Sequence, residues 1–420
     1  MNYRNYDVVI IGSGIAGLYS AYNLKKMNPS LSFIVLEKHK KQWIGGRTSN
    51  ETFYGTEIVT GAGIGRKKKD KLLIQLMEDL DVKFSEFEFN PIIANTIHNP
   101  IDIKKMVSDL KKRTVYANET FKKFAKKALG EVEYANFLIT NGYTDYENDD
   151  AFDVMEHYGL EDNYSSWTGL TIHWKKLILA LTHSVGMNNI RSSCGATSIY
   201  SFEKGKYKKN GTDFSCDIYD YCVETDNNIA YYCNKIIVAT TITSLRSLFP
   251  RHKIYDQIEG QPFLRLYAKF SKSSVPIMKE YVKGYTIVPS VLQKIIPIDA
   301  NKGIYMIAYS DNKSAEFLKN KLSDTEENRE MFALLVETSL GMPINTVKIN
   351  ALKDFYWPIG THYYKPLDIK MYCDREEFIY VAQHPDPNII VVGEVVASNQ
   401  GWTEGALESV KKALTKTWLK

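Results

Sequence analysis

The sequence predicts a two-domain α/β protein built round a Rossmann-like dinucleotide-binding unit, and three observations predict it. Residues 7–11 read DVVII, an apolar, β-branched run suited to a strand buried on both faces. That run enters GSGIAG, after which Leu18, Ala21, Tyr22 and Leu24 recur with helical period. A second strand candidate, SFIVLEK, ends in Glu37, where a ribose-binding acid belongs after Gly17. A plain βαβ unit accounts for the glycines alone, but not for an acid in register with them.

Each part of the turn has a task. Gly12 allows the tight bend, Gly14 lets a pyrophosphate approach the backbone, and Gly17 packs helix on strand. The amides at the helix start, at Ile15 and Ala16, are free to hold phosphate. Glu37, followed by Lys38, accepts from both ribose hydroxyls and repels a 2′-phosphate, so the nucleotide is ADP-like.

A chain of 420 residues is too long for one compact core, so two domains are expected. Charged residues at 24% and hydrophobic ones at 44% are ordinary for a soluble globular protein. The net charge of +4 argues neither for nor against nucleic acid, and no such partner is expected. RKKKDK from Arg66 to Lys71, and Lys111, Lys112 and Arg113, read as solvated helix faces. The five cysteines, Cys194, Cys216, Cys222, Cys233 and Cys373, contain no CxxC pair and read as reduced, intracellular residues. The N-terminal apolar run is too short for a secretion signal or a membrane span, so a cytoplasmic protein without membrane contact is expected. Richness in Lys, Asn, Ile and Tyr is what AT-rich coding, as in a giant virus or protist, would produce.

Three further stretches extend the pattern. HKKQWIGGRTSN carries Gly45, Gly46, Arg47 and Thr48, and TGAGIGR carries Gly61, Ala62, Gly63 and Ile64. NIIVVGEVVASNQGWTEGALESVKKAL carries Gly393, Glu394, Gly401, Trp402, Thr403 and Ala406. In this order the motifs resemble the flavin-containing amine oxidases, the family of monoamine and polyamine oxidases, over roughly 1–80 and 385–415.

The resemblance implies FAD, bound in a domain assembled from segments 1–84, 190–255 and 376–420. It implies a helical part of a substrate domain at 85–189 and a mixed-sheet part at 256–375. Arg47 would then grip phosphate with two hydrogen bonds. The small residues of TGAGIGR would let the backbone pass the isoalloxazine ring, and Glu394 would bond the ribityl or pyrophosphate region. The helix opened by Thr403 would turn its positive end to the flavin. Ala196, in SSCGATSIYSFE, would lie on a strand against the adenine, and LRSLFP reads as a turn into the second domain. The monoamine oxidase branch attaches FAD to a cysteine where this chain has GTHYYK, so non-covalent FAD is expected.

On the substrate side, the family sets two aromatic rings perpendicular to the flavin. Trp402, just before EGA, matches one. Its partner falls in DFYWPIGTHYYKP, where Trp357, His362, Tyr363 and Tyr364 all qualify; Tyr363 is the choice, although core packing suits each equally. Arg265, in QPFLRLYAKF, stands where the family has a lysine near flavin N5, with Lys269 further along. Arginine keeps its charge and its fork, which suits a carboxylate-bearing substrate too. TDYENDDAFDVMEH offers Asp145, Glu147, Asp149, Asp150, Asp153 and Glu156, either a mouth for a polyamine or, more plainly, a solvated loop. His157, His173, His183 and His384 are scattered without metal spacing, and no metal is expected.

The implied activity is oxidation of a small-molecule amine by hydride transfer to flavin N5. The imine hydrolyses, O2 accepts the electrons and hydrogen peroxide results; a homodimer is compatible with this. The rivals are an L-amino-acid oxidase on the same scaffold, a flavin desaturase or isomerase of the carotenoid or porphyrinogen type, and a non-catalytic FAD-binding protein.

Overall fold

The computed structural model describes residues 2–116, 118–202, 206–209, 212–215 and 218–420, and Cys216 lies outside them. DVVII and SFIVLEK supply the middle of a five-stranded parallel sheet, ordered Ile190–Arg191, Phe33–Leu36, Val8–Ile11, Lys235–Val238, Ile389–Val391. Each central strand is apolar on both faces because each face is covered. On one side lie the helices Ile15–Met27, Trp174–Val185 and Thr403–Ala413, which meet Val8, Ile10, Val35 and Ile237. On the other lie the helices Ile242–Leu248 and Arg375–Gln383 and a four-stranded sheet, which meet Val9, Ile34, Ile236 and Val391.

The α/β class and the Rossmann-like unit are therefore as expected, with two differences of placement. LRSLFP is not a turn: LRSL is the second half of the helix Ile242–Leu248, whose Leu245 and Leu248 are buried. WKKLILALTHSV is helical, but its apolar stripe packs on the helix Ile15–Met27 and so covers the nucleotide sheet. Periodicity reports that a face is buried, not which core buries it.

The rest of 85–189 mixes helices with strands. Ile103–Lys111, Phe121–Leu129, Glu131–Asn141 and Ala151–Glu156 close round Phe121, Phe137 and Tyr146. Trp167–Ile172 pairs with Phe84–Phe89 and Gly65–Arg66 in a three-stranded sheet. The second module is a six-stranded sheet, ordered Ile349–Tyr364, Ile258–Phe270, Ile304–Asp311, Lys294–Asp299, Thr286–Ile287, Ile92–Ile93. Its long first two strands run antiparallel and carry Arg265 and the aromatic stretch 355–364 to the boundary between the modules. No helix among the described residues is long and apolar enough to cross a membrane.

Candidate active site

A cavity of about 1450 Å³ runs from the glycine turn to the six-stranded sheet. That exceeds the roughly 300–1,000 Å³ typical for one small ligand, so there is room for a dinucleotide and a second molecule. Its wall takes Gly12, Gly14, Ile15, Ala16, Glu37 and Lys38 from the first βαβ unit. Gly45, Gly46, Arg47 and Thr48 follow, then Gly61, Ala62, Gly63 and Ile64. Ala196, Gly393, Glu394, Gly401, Trp402, Thr403 and Ala406 complete the nucleotide side, and Arg265 and Tyr363 stand on the other. Of the residues expected to bind the cofactor, Gly17 is off the wall. Any Cβ there would lie 1.9 Å from the Gly12 carbonyl oxygen, so its task is the close helix packing read from the motif.

Two helix N-termini open onto this cavity, and neither has a side-chain cap. Ile15–Met27 begins after Gly14, and Thr403–Ala413 begins after Trp402. Their first amides therefore remain for a ligand, and the helix dipoles favour negative charge there. At Gly14 an added Cβ would point into open space, which is where a phosphate could approach. Gly12 has no such latitude: its φ is +102° and an added Cβ would lie 2.3 Å from the Ala239 carbonyl oxygen. Glu37 reaches the same end. Its Oε2 accepts from the Ser13 amide and hydroxyl at 3.0 and 2.6 Å, and its Oε1 from the His39 amide at 2.8 Å. Oε1 keeps a lone pair for one further donor, such as a hydroxyl. The donor set thus fits an ADP-like group.

Glu394 differs from its expected part. Both its oxygens are occupied by the chain itself. Oε1 accepts from the amides of His362 and Gly401 at 2.8 and 2.9 Å; Oε2 accepts from His362 Nδ1 at 2.5 Å and Arg47 Nη1 at 3.1 Å. Burial pushes this carboxyl up, but His362 and Arg47 more than offset it and hold the group at about 2. Arg47 Nη1 also donates to the Gly360 carbonyl at 2.6 Å. One arm of the guanidinium is therefore committed to the protein, which leaves Nε and Nη2 as the pair that could grip a phosphate. His362, a candidate ring in the aromatic stretch, is a buried part of this hub.

At the far end, Arg265 is buried and forms no ion pair among the described residues. Nε donates to the Gly61 carbonyl at 2.7 Å, Nη1 meets the Met306 sulfur at 3.6 Å, and the guanidinium lies 4.2 Å from the Tyr309 ring centre. A permanent cation thus sits against the small-residue run Gly61–Gly63. Trp357 Nε1 donates to the Thr60 carbonyl at 2.7 Å, and the Tyr364 hydroxyl to Ala397 at 3.0 Å, while Tyr363 is half-buried. Burial, then Glu259 and Asp149, raises the Tyr363 phenol.

Two charged stretches read as solvated are so only in part. Arg66 and Asp70 are buried and paired to each other, with only Lys67, Lys68, Lys69 and Lys71 facing out. Asp145, Glu147, Asp149, Asp150 and Asp153 are buried too, interleaved with core residues Tyr146, Ala151, Val154 and Met155. Asp150 caps the helix Ala151–Glu156, and Asp150 and Asp153 hold Arg375. Asp145, which lines the cavity, accepts from the Tyr158 hydroxyl at 2.6 Å and is pushed up to about 7 by burial and by Asp311. Lys294, missed in the sequence, is fully buried beside this group. Its ammonium bonds the Gly142 carbonyl at 2.6 Å, and burial lowers it to about 7.

The comparisons agree with this geometry. A family model described as an NAD(P)-binding Rossmann-like domain matches residues 10–80. An uncharacterised protein of Acanthamoeba polyphaga mimivirus is 19% identical, over 99% of this chain and 94% of its own length. Among solved structures, wild-type putrescine oxidase bound to putrescine matches with a TM-score of 0.72 at 15% identity, over 98% of both chains. Cyclohexylamine oxidase from Brevibacterium oxydans matches with a TM-score of 0.70 at 14% identity, also over 98% of both. The whole chain, both modules included, therefore has the fold of these amine oxidases.

Proposed function

We propose that this protein is an FAD-dependent amine oxidase that binds its cofactor without a covalent bond. The observation that carries the reading is one cavity joining two uncapped helix N-termini, Glu37 and Trp402 on the nucleotide side to Tyr363 and Arg265 on the other. The fold shared with putrescine oxidase and cyclohexylamine oxidase supports it.

The residues that would hold FAD are the amides after Gly14, Glu37, the run Gly61–Ile64 and the start of the Thr403 helix. The flavin would supply the hydride acceptor. The chain does the rest. Trp402 and Tyr363 orient the amine's C–N bond, and the apolar wall excludes water. Desolvation lowers the amine's pKa and so favours the neutral form that can lose hydride. Arg265 places its guanidinium beside the reacting centre. The imine then hydrolyses in water, and O2 accepts the two electrons and two protons to become hydrogen peroxide.

Mixing the yellow protein anaerobically with a panel of amines and amino acids tests this. Bleaching of the visible flavin band by primary or secondary amines is expected; no bleaching by any amine would overturn the assignment. Arg265, a buried cation without an acidic partner among the described residues, favours a second reading, an oxidase of amino acids. Bleaching confined to carboxylate-bearing amines would select it.

A further inference from the structure

The Trp402 ring has a partner that the proposed reaction leaves unused. Arg66, at the end of the strand Gly65–Arg66, places its guanidinium carbon 3.7 Å from the centre of that ring. The guanidinium cannot swing away. Nε and Nη2 donate to Asp70 Oδ1 at 2.9 and 2.7 Å, and Nη1 donates to Asp162 Oδ2 at 3.0 Å. Asp70 Oδ2 accepts the Arg66 amide at 2.7 Å, and Lys69 holds Asp162 from the other side at 2.8 Å. The ring's own helix is tied to the same corner, since Glu404 accepts the amides of Leu72 and Leu73 at 2.7 and 2.9 Å.

An indole attracts cations through the negative charge on its face. Here that attraction is already taken by a buried guanidinium: Asp70 and Asp162 offset its charge, but a second cation brought to the ring would compete for the π-electron density on which the guanidinium already draws. A neutral ligand meets no such competition. We propose that Arg66 is a positioning residue that sets specificity through Trp402: it makes the ring a poor host for ammonium, so the site admits amines as the free base. The inference rests on the reading of Trp402 as a ring facing the substrate of a flavin enzyme.

Binding of an isosteric pair to the FAD-loaded protein separates the possibilities. The pair is 3,3-dimethyl-1-butanol, which is neutral, and choline, which is permanently charged, each read from its perturbation of the flavin spectrum. The wild-type protein is expected to bind the alcohol more tightly. The double variant Arg66→Met, Asp70→Asn removes the cation together with one carboxylate and leaves Asp162 to Lys69, so the net charge is unchanged, and the ratio is expected to move about tenfold toward choline. Arg66→Lys keeps the charge and is expected to keep the wild-type order. Tighter binding of choline by the wild-type protein overturns the proposal, even if the double variant does not fold. So does an unchanged ratio in the folded double variant, or a reversal by Arg66→Lys. If neither ligand perturbs the flavin, the placement of Trp402 against substrate falls, and this proposal with it. If the protein takes up no flavin, the proposed function itself falls.

Discussion

Glu394 shows how one carboxylate can tie distant segments of a site together. Three segments far apart in the chain, through Arg47, His362 and Gly401, converge on its two oxygens. Its value of about 2 lies below the ordinary 4.5, so the charged form stabilises the fold fully above 4.5 and loses that effect as pH falls toward 2. A shift of that size corresponds to about 3 kcal/mol. Glu394→Gln is expected to lose about this much in urea unfolding at neutral pH, and the gap from wild type should narrow steadily below pH 4.5. A gap that stays constant with pH would show that the charge is not what matters. At this scale the glycines were legible because each answers to local backbone geometry. The hub was not, since a Glu after a buried strand announces neither its His362 partner nor the guanidinium arm it occupies.

The element that closes the site is the helix Thr403–Ala413. It carries Trp402 at its start and reaches across to the helix Lys71–Asp79 through Glu404, which takes the place of a side-chain cap there. Glu404→Ala leaves two amides at that N-terminus without an acceptor and is expected to cost about 1–2 kcal/mol. Because Trp402 rides on the same helix, flavin fluorescence should appear on heating before the bulk of the fold melts. Simultaneous release and melting at the wild-type temperature would contradict this. Helices and strands were readable wherever the apolar period was clean. The two misread charged runs share a different cause. Arg66 and Asp70 look like any solvated i,i+4 pair, and it is residues from distant segments, Asp162 and Trp402, that meet Arg66. The acids from Asp145 to Asp153 alternate with buried Tyr146, Ala151 and Val154, a local signal that the segment packs.

At the scale of the whole molecule, two sheets meet along one cavity. The parallel sheet offers helix N-termini, and the mixed sheet offers side chains from the long strands Ile258–Phe270 and Ile349–Tyr364. The parallel half was legible because its motifs are contiguous and tied to one ligand chemistry. The mixed half was legible only as strand-like stretches. Its order, including the pairing of Ile92–Ile93 with Thr286–Ile287, depends on contacts between segments that carry no motif. The buried cluster of Lys294, Asp145 and Asp311 arises the same way, from strands and loops that meet only in the fold. The central claim is that these separated segments grip a single FAD. The most direct test is the flavin released by acid from protein purified with FAD present. The account predicts about one FAD per chain, all of it in the supernatant. A colourless protein that stays colourless after incubation with FAD would contradict it.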